Sequence, residues 1–209
     1  MNTVSHKAQT TQSSSLSIDL LRHGQVATPG LFCAPPDEPL GVTGWKQLSH
    51  ATAKGQWDAI LASPSRRCHD FARQLAQRLD TPFIVEERFR EMDFGEWVGQ
   101  TQWALWEQYP EEMQQLWYQP LMFAAPGGEL MKEFINRVQA AWATLLQDYT
   151  GQHVLVLTHA GVIRVLLAEV LGILYKKTLR FEIAYAQISR IQQNAAGNCS
   201  LLAHGLTQA

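Results

Sequence analysis

The run His153-Val154-Leu155-Val156-Leu157 ends in Thr158-His159-Ala160-Gly161, and an apolar helical stretch, Val162 to Leu171, follows at once. The first segment reads as a buried strand and the last as a helix. Strand, tight small-residue turn and helix make a βα unit, which points to an α/β fold with helices on both faces of a mainly parallel sheet. Ligands of such sheets gather at the carboxyl ends of the strands. There the free N–H groups of a helix N-terminus favour anions.

A second strand end carries the same signal. Leu16-Ser17-Ile18-Asp19-Leu20 alternates and runs into Leu21-Arg22-His23-Gly24, after which Gln25 to Gly30 reads as loop. Arg22 and His23 taken alone are also consistent with a strand end that meets solvent. Burying them for packing alone would be costly. For phosphate the pair makes chemical sense, since arginine forks onto phosphoryl oxygens and a neutral imidazole can attack phosphorus. His23 and His159 in matching contexts make a shared anion site the better reading.

A third segment adds a cation. Asp58-Ala59-Ile60-Leu61-Ala62 reads as a strand, with Ser63 as the expected helix N-cap and Pro64 at the first helical position. Arg67, Phe71, Leu75 and Leu79 recur every four residues and so share the core-facing stripe. Arg67 therefore points inward, whereas Arg66 aligns with Asp70 and Arg73 on the solvated side. Strands are expected near 16–21, 58–62, 82–86, 153–158, 182–190 and 198–203.

Composition narrows the partners. A chain of 209 residues with 46% hydrophobic content can bury one sizeable core, and a net charge of −2 offers no general attraction for nucleic acid. Cys33, Cys68 and Cys199 have no paired spacing, which fits a reducing cytoplasm. Residues 1–15 are rich in Ser, Thr and Gln without an apolar core, and read as a flexible leader rather than a signal peptide. Val162 to Leu174 is interrupted by Arg164 and Glu169 and is too short to span a bilayer. No HExxH or CxxC spacing occurs, so neither a metal nor a cofactor is expected.

Between Gly99 and Gly128 the strand pattern stops. Trp103, Trp106, Tyr109, Trp117, Tyr118 and Phe123 crowd a stretch broken by Pro110, Pro120 and Pro126. Two readings stay open here: aromatics packed on the main body, and a cap with one or two rings over a pocket. Gly127-Gly128-Glu129 then leads into a helix over Leu130 to Tyr149, with Phe134, Val138, Trp142 and Leu145 as its core stripe.

Four motifs in this order, LRHG, SPSRRC, REMDFGEWVG and LTHAGVIR, make the chain resemble the histidine phosphatase superfamily from Leu16 to about Leu202. Within it, SPSRRCHDFARQLA and EMDFGEW are most similar to short bacterial α-ribazole phosphatases. The resemblance implies the phosphoglycerate mutase-like fold: a three-layer α/β/α sandwich around a mostly parallel sheet. It implies one domain over 16–209, with a small helical cap inserted at about 97–130. Carried over residue by residue, it implies His23 as nucleophile and Glu91 as proton donor. Arg22, Arg67, His159 and the backbone at Ala160 become the phosphate ligands. One departure stands out. Where the family commonly has an acidic residue, a Thr and an Asn after its RHG, this chain has Gln25, Val26 and Pro29, so one polar phosphate contact is missing or replaced.

The implied activity is metal-independent hydrolysis of a small-molecule phosphomonoester through phosphohistidine. α-Ribazole 5′-phosphate, from assembly of the cobalamin nucleotide loop, is the first candidate substrate. A broad-specificity phosphatase, a phosphoglycerate mutase-type enzyme and a phosphate-binding module without turnover are the alternatives. No nucleic-acid or membrane partner is expected, and oligomeric state stays open. From Glu91 to Met131 there is no Lys or Arg, against seven carboxylates. A cap of that composition cannot clamp a second anion, which disfavours phosphoglycerates and suits a flat, weakly polar body. A Lys or Arg entering the pocket from elsewhere would weaken that argument.

Overall fold

The computed structural model describes residues 15–209, so all of the expected leader except Ser15 lies outside it. Among the described residues six strands form one sheet: β1 (Leu16–Arg22), β2 (Ala59–Ala62), β3 (Phe83–Val85), β4 (His153–Thr158), β5 (Ile188–Gln193) and β6 (Cys199–Leu206). Their spatial order is β3-β2-β4-β1-β5-β6. The pairings β1–β4, β4–β2 and β2–β3 are parallel, whereas β5 runs antiparallel to β1 and β6 antiparallel to β5.

The parallel strands are apolar on both faces because helices cover both. Leu21, Ile60, Leu155 and Leu157 face α1 (Val42–Ala51) and α2 (Arg66–Leu79). Leu20, Leu61, Val154 and Val156 face α5 (Met131–Asp148) and α6 (Ala160–Leu171). The result is the three-layer α/β/α arrangement. Phe134, Val138, Trp142 and Leu145 of α5 are all buried, as their spacing predicts. Each such side chain contributes about 1.5–3 kcal/mol by leaving water. In α2 the stripe of Arg67, Phe71 and Leu75 is buried, and Leu79 at its end is partly so.

Between β3 and α5 the chain makes α3 (Gln102–Gln108), α4 (Pro110–Tyr118) and a 3-10 turn at Pro120–Met122. Pro110 fits the first turn of α4, where its missing N–H costs nothing, and Glu111 and Glu112 complement the helix dipole there. Trp97, Leu105, Met113, Leu116 and Phe123 join the core shared with α5 and α6. Trp103 turns outward, 74% exposed. No helix among the described residues is long and apolar enough to cross a membrane.

Two expectations need correction. The strand expected over 182–190 begins only at Ile188 and runs to Gln193. Residues before it are spent on a turn at Tyr185–Ala186, where Ala186 takes φ 55° and donates its N–H to the carbonyls of Arg22 and His23. Left-handed backbone at a non-glycine residue costs about 1–2 kcal/mol, so that turn is held by its surroundings. Ser63 is not the cap of α2 either: Ser65 is the N-cap, and Ser63 is held elsewhere.

Candidate active site

Strand register sets the site. Arg22 pairs with Thr158 and Ala62 with Leu157, so β1 and β4 end level and β2 ends one residue before them. The next residue on each is His23, His159 and Ser63. His23 N–H donates to the Thr158 carbonyl at 2.9 Å, and Ser63 N–H to that of Leu157 at 3.0 Å. Three adjacent strand ends thus present two imidazoles and a hydroxyl to one place.

The tautomers follow from the partners. Nδ1 of His23 lies 2.8 Å from the Gly24 carbonyl, which can only accept, so the proton of the neutral ring sits on Nδ1 and Nε2 keeps its lone pair. Arg67 Nη2 donates to His159 Nδ1 at 3.3 Å, so His159 carries its proton on Nε2 and donates it to Ser63 Oγ at 2.7 Å. The two rings meet edge-on at 5.2 Å. Burial and then the Arg67 and Arg22 guanidiniums hold His23 well below the ordinary 6.5. Burial, Arg67, His23 and Arg22 do the same to His159. Both are neutral at neutral pH.

The backbone around His23 leaves no room for side chains. A Cβ on Gly24 would sit 2.3 Å from the Gly44 carbonyl oxygen, at the start of α1. Gly24 is therefore required by the close approach of α1.

The arginines are anchored through their Nη atoms and bare at Nε. Arg22 Nη1 donates to the Ile183 carbonyl at 2.6 Å, and its guanidinium lies 4.0 Å from the centroid of the Tyr185 ring. Arg67 Nη1 donates to the Pro35 carbonyl at 2.7 Å. Burial presses the Arg22 guanidinium below its ordinary value. The Nε atoms of Arg22 and Arg67 are buried with no partner among the described residues, and so is the Nε of Arg164. Buried donors of that kind call for an acceptor.

Glu91 reaches the site from the loop after β3. Its Oε2 accepts from Gly161 N–H at 3.2 Å and its Oε1 from Met92 N–H at 3.1 Å. The carboxylate therefore already takes one of the free N–H groups at the start of α6. A Cβ on Gly161 would strike Glu91 Oε1 at 2.2 Å, so glycine is what admits the carboxylate.

All six expected residues, His23, Glu91, Arg22, Arg67, His159 and Ala160, come together, and all but the wholly buried His159 line one pocket of about 320 Å³. Phe32, Phe94, Trp117, Tyr175 and Tyr185 form much of its remaining wall. Of the cap tryptophans only Trp117 faces it. In the departing loop, buried Val26 lines the pocket, Pro29 is exposed and Gln25 turns its N–H to Gln47, so that stretch supplies no polar side chain there. No cluster of His, Cys, Asp or Glu among the described residues has the arrangement of a metal site.

Sequence reasoning missed three residues. Arg164 lines the pocket and supplies a cation from α6, which weakens the ground for excluding a second anion. The available signal was its i,i+4 relation to Ala160 at the start of an otherwise apolar helix. Ser63, taken for a cap, is the partner of His159. Tyr185 covers Arg22 from a segment expected to be strand.

Comparison with known proteins agrees with this geometry. The chain belongs to the histidine phosphatase superfamily (branch 1), whose family model matches residues 18–205. The adenosylcobalamin/α-ribazole phosphatase of Escherichia coli is 28% identical over 181 residues, covering 84% of this chain and 89% of that protein. Phosphoserine phosphatase 1 of Hydrogenobacter thermophilus is 27% identical over 168 residues, covering 79% and 80%. The crystal structure of the α-ribazole phosphatase from Shigella flexneri shares the fold, with a TM-score of 0.79 at 22% identity over 92% of this chain and 97% of that one. The chain spans about half the length, 52%, of the mycobacterial relatives that it matches at 30% identity.

Proposed function

We propose that the protein hydrolyses small-molecule phosphomonoesters through a phosphohistidine on His23. The observation that carries this reading is the bare Nε2 of neutral His23 beside the unpartnered Nε donors of Arg22 and Arg67. Phosphoryl transfer spreads negative charge over three oxygens, so a fixed array of cations does most of the work. Arg22 and Arg67 would hold those oxygens. His159, neutral, would orient Arg67 through the bond that its Nδ1 accepts.

Electrons and protons then balance. Nε2 of His23 attacks phosphorus, the P–O bond to the alcohol breaks, and Glu91 in its protonated form gives the leaving alkoxide its proton. Water next attacks the phosphohistidine, Glu91 accepts its proton, and the P–N bond breaks to release phosphate and neutral His23. No step requires a metal ion. A phosphate-binding module would need Arg22 and Arg67, but neither a bare imidazole nitrogen nor an adjacent carboxylate.

α-Ribazole 5′-phosphate is the substrate that the walls favour, because five aromatic rings suit a flat benzimidazole body. Each ring pair would contribute about 0.5–1.5 kcal/mol. Arg164 supports a second reading, a leaving group with its own carboxylate, as in phosphoserine. Steady-state kinetics on α-ribazole 5′-phosphate, phosphoserine, 3-phosphoglycerate and fructose 2,6-bisphosphate decide between them. The expected result is the highest kcat/KM for α-ribazole 5′-phosphate, with activity kept after exhaustive chelation. Phosphoserine in first place, with the advantage lost in Arg164→Met, establishes the second reading. Preference for 3-phosphoglycerate with return of its phosphoryl group would make the enzyme a mutase.

A further inference from the structure

Arg137 and Glu129 play no part in the chemistry above, yet their polar side-chain atoms are all committed to one another or to the segment that carries Glu91. Arg137, on α5, uses all five of its N–H donors. Its Nη1 donates to the carbonyls of Arg88 and Arg90, both at 2.8 Å, and Nη2 to the carbonyl of Glu91 at 3.0 Å. The remaining two donors go to the Glu129 carboxylate, from Nε at 3.1 Å and from Nη2. Glu129 Oε1 in turn accepts from Asp93 N–H at 2.8 Å, and Glu129 N–H donates to the Asp93 carbonyl at 3.0 Å. Both side chains are nearly out of solvent, 13% and 12% exposed. The Arg137 guanidinium also lies over the ring of Phe134, which lines the pocket.

A surface ion pair would contribute little, but this one spends its donors on three backbone carbonyls that have no sheet or helix to hold them. Beyond the short 3-10 turn at Glu87–Phe89, residues 91 to 93 have no regular pairing, and one planar fork ties the stretch together. Lysine, with a single nitrogen, cannot reproduce it.

We propose that Arg137, braced by Glu129, is the positioning residue for Glu91: it fixes the 88–93 backbone so that the Glu91 carboxylate stays at the first turn of α6. This rests on the assignment of Glu91 as the proton donor. Displacing a catalytic group by about 1 Å costs on the order of 10²-fold in rate, and here the loss must fall on substrates that need a proton.

The experiment is single-turnover alcohol release from an alkyl phosphate and from p-nitrophenyl phosphate, whose leaving group needs no proton. It is run on wild type, Glu91→Gln, Arg137→Met, Arg137→Lys, Glu129→Gln and the Glu91→Gln/Arg137→Met pair. Arg137→Met is expected to lower the alkyl-to-nitrophenyl rate ratio at least tenfold, with Arg137→Lys recovering little of it. The double variant should match Glu91→Gln, because a positioning residue has nothing left to position. Should Arg137→Met not fold, Glu129→Gln carries the same expectation with the shape preserved. Equal losses on both esters, or losses that multiply in the double variant, overturn the proposal. If Glu91→Gln itself leaves the ratio unchanged, the acid assignment falls instead, and that result is read independently of any Arg137 variant.

Discussion

Strand β1 carries two buried polar networks four residues apart, and they are built on opposite terms. Asp19, fully buried, accepts from Arg190 Nε at 2.7 Å and Nη2 at 2.9 Å, from Trp57 Nε1 at 3.0 Å and from His153 Nε2 at 3.0 Å. Its four donors saturate two oxygens. At His23 the count is reversed: donors exceed acceptors, and three arginines that line the pocket each have a buried Nε without a partner among the described residues. A closed network stabilises the fold that contains it. An open one, with donors to spare, is suited to an incoming anion. Removing a member should therefore cost stability in one network and activity in the other.

The largest contrast is expected from His23→Ala set beside Asp19→Ala. His23→Ala should lose at least about 10³-fold in turnover, since the proposed nucleophile is gone, while melting close to wild type. Asp19→Ala strands several donors and should cost about 2–4 kcal/mol, discounted because Arg190 and His153 keep some solvent contact. Its folded fraction should turn over normally. Thermal melting, with acid-labile label on the quenched enzyme, checks both. Label on the His23→Ala protein would move the nucleophile elsewhere.

Next in size is stabilisation by an anion. Inorganic phosphate at about 100 times its dissociation constant should add about 2.7 kcal/mol, or several degrees in Tm. Arg67→Met should abolish that rise. Arg190→Met should start from a lower Tm and keep the rise, as its network has no room for an acceptor. A rise that survives Arg67→Met would place the anion outside the pocket.

The smallest effect separates the two networks by pH. Burial alone would raise the Asp19 carboxyl, but hydrogen bonds from His153, Arg190 and Trp57 outweigh it and hold it at about 2. An unfolded chain has the same group near 4 and so takes up the proton first. The contribution of Asp19, on the order of 2 kcal/mol, is full above about pH 4 and disappears as the pH falls toward 2. His23 and His159 are depressed below 6.5, so the unfolded chain also binds their protons first, but it begins at about pH 6.5. Urea unfolding of wild type should lose stability between pH 7.5 and 5.5, and His23→Ala should lose less over that interval. Equal losses in the two proteins would mean that the ring titrates normally in the fold.

How much of this could be read from the chain depends on the distance over which each feature is specified. His23 and His159 close runs of aliphatic residues, and Arg67 lies on a four-residue repeat, so local pattern was enough. Glu91 was legible through family resemblance alone. Composition could not separate it from Asp93 or Glu96, because what distinguishes it is the N–H of Gly161, 70 residues away. The bond from Arg22 to the Ile183 carbonyl spans 161 residues. It bends the chain before β5, where strand propensity alone predicts a strand from residue 182. Ser63 misled for the opposite reason, since a serine before proline looks like a cap whether or not a histidine claims its hydroxyl.

The contact between Glu91 and Gly161 reaches beyond this one molecule. A carboxylate oxygen occupies the volume in which a methyl group at position 161 would sit, so the two residues draw on a single space. Descent with modification then acts on them as one character. A lineage that shortens the side chain at 91 removes the harder of the two obstacles to a methyl group at 161, leaving Phe134 Cζ at 3.3 Å, and once that methyl is in place the acid cannot return by a single step. Loss of the proposed proton donor would become a ratchet, leaving behind a protein with its arginines in place.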